Sequence, residues 1–127
     1  MASSTRELDA LTEKIIGCAY AVSNGLGAGF LEKVYENALC AELRAAGLDV
    51  RQQHPLPVHW RGEVVGDYYA DVFVEASIVV ELKSTKAIGD AHVAQCLNYL
   101  RASGLPLCLL LNFGKGGVEV RRVIHTP

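Results

Sequence analysis

A chain of 127 residues, 50% hydrophobic and 20% charged, is long enough for one domain with a real core and too apolar for a disordered segment. Its 12 Lys and Arg against 14 Asp and Glu leave a formal net charge of -2, so no field of the whole molecule draws it to phosphates or to an anionic membrane. Any contact with nucleic acid must therefore be local or assisted by a metal.

The first residues, "MASSTRELDA", lack the apolar run of a signal peptide, and no stretch of roughly 18 apolar residues is present to span a bilayer. Cys18, Cys40, Cys96 and Cys108 form no CxxC pair and no zinc-type cluster with His. Each sits in an apolar segment, which reads as a buried reduced thiol and suits a reducing cytoplasm. A soluble, cytoplasmic protein with no membrane partner is expected.

The chain opens on a capping box, Ser4-x-x-Glu7, followed by Leu8, Leu11, Ile15, Cys18/Ala19 and Val22 at helical spacing, so a first helix is expected to about Ser23. Gly25, Gly27 and Gly29 break it. The stretch "GLGAG" has the glycines of a phosphate-binding loop, but it follows a helix and lacks GK[ST], which favours an interhelical turn. Leu31, Val34, Ala38/Leu39 and Leu43 then mark a second helix, about 30 to 46, stopped by Gly47.

From Leu48 the period changes to two, with Val, Tyr, Trp and Phe enriched, and four strands are expected near 48–53, 56–60, 63–74 and 78–83, the third interrupted around Gly66. "GDAHVAQCLNYLRASG" returns to helical spacing, with Asp90 as N-cap and Gly104 as stop. "LPLCLLLNF" has the continuous apolar character of a fully buried strand, and "VEVRRVI" alternates as an edge strand does. In that strand Arg121 and Arg122 serve equally well as phosphate contacts or as charges that blunt an edge. His54, His59 and His125 have no metal-ligand spacing.

Within "DVFVEASIVVELK", a turn through Glu75, Ala76 and Ser77 pairs Val74 with Ile78, Phe73 with Val79, Asp71 with Glu81 and Tyr69 with Lys83. Asp71 then faces Glu81, with Cβ atoms about 4.5–5.5 Å apart and like charges repelling, and Lys83 lies on the same face. Two facing carboxylates on a partly buried surface are costly unless one is protonated or a cation lies between them. A hard divalent ion, Mg²⁺ or Mn²⁺, resolves the repulsion, and a lysine on the next rung can hold the attacking water and balance developing negative charge. A surface hairpin in which Lys83 merely screens Glu81 accounts for this stretch equally well.

An acidic residue followed on the next strand by Glu-x-Lys resembles the signature of the PD-(D/E)xK nuclease superfamily, here Asp71 and "ELK" from Glu81 to Lys83, with Ala70 in place of the motif's proline. "GFLEKVY" resembles the motif of the GxxExxY protein family of that superfamily, and "AQCLNYL" is similar to the Gln-x-x-x-Tyr motif of its exonuclease-like branch. The resemblance runs from about Leu8 to Val123. It implies a single α/β domain, residues 1–127, of the restriction-endonuclease-like type, with a mixed central β-sheet flanked by helices. It further implies Asp71 and Glu81 as metal ligands for Mg²⁺ or Mn²⁺, Glu32 as a further acidic ligand from the second helix, and Lys83 as the catalytic lysine. Gln95, Tyr99 and Tyr35 would line the site.

Spacing is compatible with these roles: Glu32 and Tyr35 are three apart and Gln95 and Tyr99 four apart, so each pair shares a helix face, and His92 joins the second face. Taken alone, Glu32 also reads as a carboxylate stabilised by its helix dipole, and the two tyrosines as core residues. The expected function is a metal-dependent phosphodiesterase acting on nucleic acid, DNA in the first place. The alternative is a catalytically weak or inactive nucleic-acid-binding or regulatory module on the same fold; a purely structural protein is a third. The aromatic stretch "HWRGEVVGDYY" suits a homodimer surface, a base-stacking platform or ordinary sheet packing.

Overall fold

A computed structural model describes residues 5–114 and 116–126. Its elements run α1 (Thr5–Leu26), α2 (Glu32–Ala45), β1 (Val50–Trp60), β2 (Glu63–Val74), β3 (Ile78–Lys83), α3 (Asp90–Ser103), β4 (Leu107–Asn112) and β5 (Glu119–Ile124). The five strands form one sheet in the order β1-β2-β3-β4-β5. Every neighbouring pair is antiparallel except β3 and β4, which run parallel because α3 carries the chain back over one face of the sheet.

Alternation along the strands divides the core between the two faces. Val72, Val74, Ile78, Val80, Leu82 and the odd-numbered leucines of β4 pack under α1 and α2. Val79, Cys108 and Leu110 pack under α3 with Cys96, Tyr99 and Leu100, and Phe73 lies against that second cluster. Covered on both faces, β4 is buried throughout, which is why "LCLLLN" shows no alternation. The result is the expected α/β architecture, a mixed central sheet flanked by helices.

Several boundaries differ from the sequence expectation. The capping box at Ser4 lies outside the described residues. Helix α1 continues past Ser23 to Leu26, because Gly25 keeps a helical backbone and the left-handed break comes only at Gly27, φ 76°. The N-cap of α3 is Gly89 rather than Asp90, and the His92 Nδ1 accepts the Gly89 N–H at 3.0 Å. The two strands expected at 48–53 and 56–60 are one strand, β1. Pro55 and Pro57 do not interrupt it, since β1 is the outer strand and its outward N–H groups have no ladder partner to lose. Nor does Gly66 interrupt β2; the irregularity is a bulge, where Val58 and His59 face Gly66 and Val64 and Val65 is left over.

The four cysteines are free thiols, Cys40, Cys96 and Cys108 buried and Cys18 partly so. At the far edge, Arg122 of β5 pairs with Asp9 of α1 at 2.8 Å, and both side chains are exposed. Among the described residues no helix is long and apolar enough to cross a membrane.

Candidate active site

Strands β2 and β3 leave their tight turn paired in the expected register, Val74 with Ile78, Phe73 with Val79 and Val72 with Val80. There the ladder ends. β2 stays with β1 and β3 stays with β4, so the two strands separate, and Tyr69 never meets Lys83 as a simple continuation would require. Asp71 and Glu81 stand at the fork.

Separation frees backbone N–H groups that a buried sheet cannot leave unpaired. Each carboxylate answers one of them on the opposite strand: the Asp71 N–H donates to Glu81 Oε2 at 2.7 Å, and the Leu82 N–H donates to Asp71 Oδ2 at 2.9 Å. The two acids are therefore held as neighbours by their strands. Glu81 shares the parity of Val79, which places it on the α3 side, whereas at Asp71 the alternation of β2 is broken: Ala70 and Phe73 both belong to the α3 cluster and Val72 between them lies under α1 and α2.

Lys83, two residues beyond Glu81, reaches the same side, where its Nζ donates to Gln95 Oε1 of α3 at 3.2 Å. One turn along α3, the Tyr99 hydroxyl stands close enough to the Glu81 carboxyl for each to act on the other. Burial, and then the neighbouring Asp71 charge, push the Glu81 carboxyl up to about 9, against the pull of the Asp71 amide and the Tyr99 hydroxyl. With 2% of its surface exposed, Glu81 is protonated at neutral pH unless a cation joins it. Burial and the same carboxyl raise the Tyr99 hydroxyl well above its ordinary value, so it donates rather than ionises.

Glu32 opens α2 on the opposite face of the sheet and feels the charges of this group through the fork. Burial, then the Asp71 charge, raise its carboxyl; Lys83 and His92 lower it. Its link to the pair is one of field. Tyr35 takes a different place: its ring stacks on Phe113 at 4.8 Å, and its hydroxyl donates to the Gly27 carbonyl at 2.6 Å while accepting the Phe30 N–H at 3.2 Å. Tyr35 thus locks the "GLGAG" turn between the helices, and its polar atom is engaged there.

Two further residues bear on Asp71. Gln53 in β1, opposite Asp71, adopts a left-handed backbone, φ 50°. That turns its amide inward, where Nε2 donates to Glu36 Oε1 at 3.2 Å and lies 3.4 Å from Asp71 Oδ1. Glu36 is buried and also accepts from Lys33 at 2.7 Å and from Gln52 at 2.8 Å. Spacing signals Glu36, four residues after Glu32 on one face of α2. Nothing local signals Gln53, which the β1–β2 register passes over between Gln52 and His54.

At the end of β4, Asn112 fixes the segment that follows Lys83. Its Oδ1 accepts the Thr85 N–H at 3.0 Å and its Nδ2 donates to the Thr85 carbonyl at 3.1 Å. Gly114 is required beside it, because a Cβ there would stand 1.7 Å from the Thr85 carbonyl oxygen.

Among the described residues no three His, Cys, Asp or Glu side chains are arranged to ligate one ion. The donor chemistry of the pair nevertheless fits a hard divalent cation: two carboxylates, one of them pushed up to about 9 by burial and its neighbour, gain most from a positive charge between them.

A model of the PD-(D/E)XK nuclease superfamily matches residues 9–123, nearly the whole chain. The mixed sheet flanked by three helices agrees with the restriction-endonuclease-like fold that this match implies. No curated protein and no solved structure matches the chain.

Proposed function

We propose, since the chain belongs to the PD-(D/E)XK nuclease superfamily, that it is a metal-dependent phosphodiesterase cleaving nucleic acid, DNA in the first place, and a member of the GxxExxY group with a cytoplasmic role. Nucleases of this superfamily generally use divalent metals. The observation that carries the reading is the fork, where Asp71 and Glu81 are fixed side by side by each other's strands and Lys83 stands two residues further on the same side.

In this reading Asp71 and Glu81 hold Mg²⁺ or Mn²⁺, and Glu32 adds negative charge across the fork. Such an ion lowers the pKa of bound water and offsets phosphoryl charge. Tyr99 sets its hydroxyl beside the Glu81 carboxyl and favours the charged form of that group. Gln95 positions the Lys83 ammonium, which lies where negative charge grows on the phosphate oxygens and stabilises it. Gln53 and Glu36 restrain Asp71 from behind. Tyr35 supports the site through the turn that leads into α2.

Calorimetric titration with Mg²⁺ and Mn²⁺, run beside a cleavage assay on single- and double-stranded DNA and RNA, tests this. Wild type is expected to bind the metal and cut, and Asp71→Asn to lose both. Metal binding that survives Asp71→Asn removes the proposed centre.

One observation favours the second reading, a binding or regulatory module without turnover. Each carboxylate already accepts a backbone N–H, and the described residues supply no third ligand at coordinating distance. That reading predicts nucleic-acid binding unaffected by Asp71→Asn and no cleavage in either metal.

A further inference from the structure

Beyond the fork, β1 and β2 continue together as a two-stranded arm from Leu56 to Tyr69, with Trp60 and Arg61 at its tip. The arm leans over α3, and between them opens a cleft of about 450 Å³ lined by Val58, His59, Tyr68, Asn98, Arg101 and Ala102. That volume is in the range of pockets that enclose a small organic group.

Three features of the cleft point to one kind of occupant. Tyr68 is 42% exposed, and its ring meets Tyr99 edge to face at 5.4 Å, which leaves ring surface available to a planar guest. The Arg101 guanidinium is oriented by the neutral Asn98 amide oxygen at 3.2 Å and, among the described residues, has no carboxylate within ion-pair distance. Tyr99, which meets Tyr68, also feels the Glu81 carboxyl at its hydroxyl, so its ring stands between the cleft and the acids. At the tip, Trp60 is 65% exposed and carries the Arg61 guanidinium 6.0 Å from its ring, which repeats the pairing of an aromatic face with a cation.

We propose that this cleft is a subsite for one unpaired base of a DNA strand whose neighbouring phosphate lies at Asp71 and Glu81. The inference rests on the phosphodiesterase reading and names the state of its substrate. Tyr68 stacks on the base, Asn98 and His59 meet its polar edge, and Arg101 takes the adjoining phosphate. A base inside a duplex has both faces covered by its neighbours, so stacking on Tyr68 selects a single-stranded or frayed strand. An apolar segment fits less well, because it would bury the Arg101 charge without a counter-charge.

The test uses the whole chain in the presence of a chelator, so that the strand stays intact. A single-stranded DNA carrying 2-aminopurine, whose fluorescence is quenched by stacking, is titrated beside its duplex and beside single-stranded RNA of the same sequence. Single-stranded DNA is expected to bind tightest with quenching. Tyr68→Ala should weaken it about tenfold or more, Tyr68→Phe should restore it, and Arg101→Ala should weaken it without abolishing the quench. Because both residues are surface-exposed, unchanged thermal unfolding checks that the variants fold. Equal affinity for strand and duplex, or an unaltered signal in Tyr68→Ala, overturns the subsite. RNA that binds tenfold tighter than DNA overturns its assignment to DNA. Cleavage by wild type but not by Lys83→Ala is read separately, so a failure of the hydrolytic reading shows there and not in the stacking signal.

Discussion

Asp71 and Glu81 are joined through backbone rather than side chain to side chain: the N–H of Asp71 lies 2.7 Å from the Glu81 carboxylate, while the Asp71 carboxylate holds Leu82, the residue after Glu81. The two acids take over the work of the ladder where β2 and β3 part. Their proximity is thus a property of the fold, present before any ion arrives, and its electrostatic cost is measurable in the metal-free protein.

That cost sets a pH dependence. The Glu81 carboxyl rises from an ordinary 4.5 to about 9 in the fold. Between those values the unfolded chain has released a proton that the folded chain keeps, so the unfolded state binds fewer protons and stability falls as pH rises. Below the lower value both states hold the proton and the effect vanishes. Glu32, also raised, acts in the same direction. Urea midpoints of metal-free wild type are expected to fall from pH 5 to pH 9, and Glu81→Gln to remove most of the slope. A wild-type midpoint constant over that interval means that Glu81 is ionised in the fold.

Lys83→Ala is expected to lower cleavage by about 10²–10³-fold, the usual consequence of removing one group aimed at transition-state charge, with the metal affinity little changed. Gln95→Ala, which removes only the partner that positions the Nζ, should cost less. Single-turnover rates separate these effects from substrate binding, and equal rates in wild type and Lys83→Ala exclude a catalytic role for the lysine.

Glu36 is expected to matter far more for stability than its ion-pair partner. Glu36→Ala leaves the Gln52 and Gln53 amides without their buried acceptor and should cost about 2 kcal/mol or more. Lys33 has 58% of its side chain exposed, so Lys33→Ala should cost between about 0 and 1 kcal/mol. Chemical denaturation of both variants checks the order, and a reversal would mean that the salt bridge, not the amide network, holds α2 against β1.

The turn joining β2 to β3 places Glu75 and Ala76 at φ 53° and 49°, a geometry that suits glycine at the second position. Ala76→Gly relieves a left-handed alanine and should stabilise the protein by roughly 1 kcal/mol, after the entropy of the added glycine is counted. Thermal unfolding should show a midpoint a few degrees higher. A lower midpoint would place Ala76 outside the left-handed region.

Much of this was legible in the residues. The switch from helical to two-residue spacing at Leu48 marks the boundary between α2 and β1, and the unbroken apolar run of β4 marks a strand covered on both faces. Tyr35 shows where pattern reading stops. Its spacing from Glu32 permits a place on one helix face, but the hydroxyl is drawn instead to Gly27 and Phe30 by the path of the interhelical turn. Gln53 shows the same limit, since its left-handed backbone falls where the β1–β2 register passes over one residue and has no local signature.

Residue order alone specified the hairpin of β2 and β3 and the parity that sets Glu81 and Lys83 on one side, because alternation along a strand is a local property of the backbone; at Asp71 that alternation breaks, with Ala70 and Phe73 both in the α3 cluster. Tertiary structure alone decided that the hairpin opens after Val72 and Val80, that Glu32 and Glu36 approach Asp71 from the other face, and that the arm and α3 enclose a cleft. The reason is competition: β1 holds one strand and β4 the other, and where two neighbours pull apart cannot be written into either strand's own pattern.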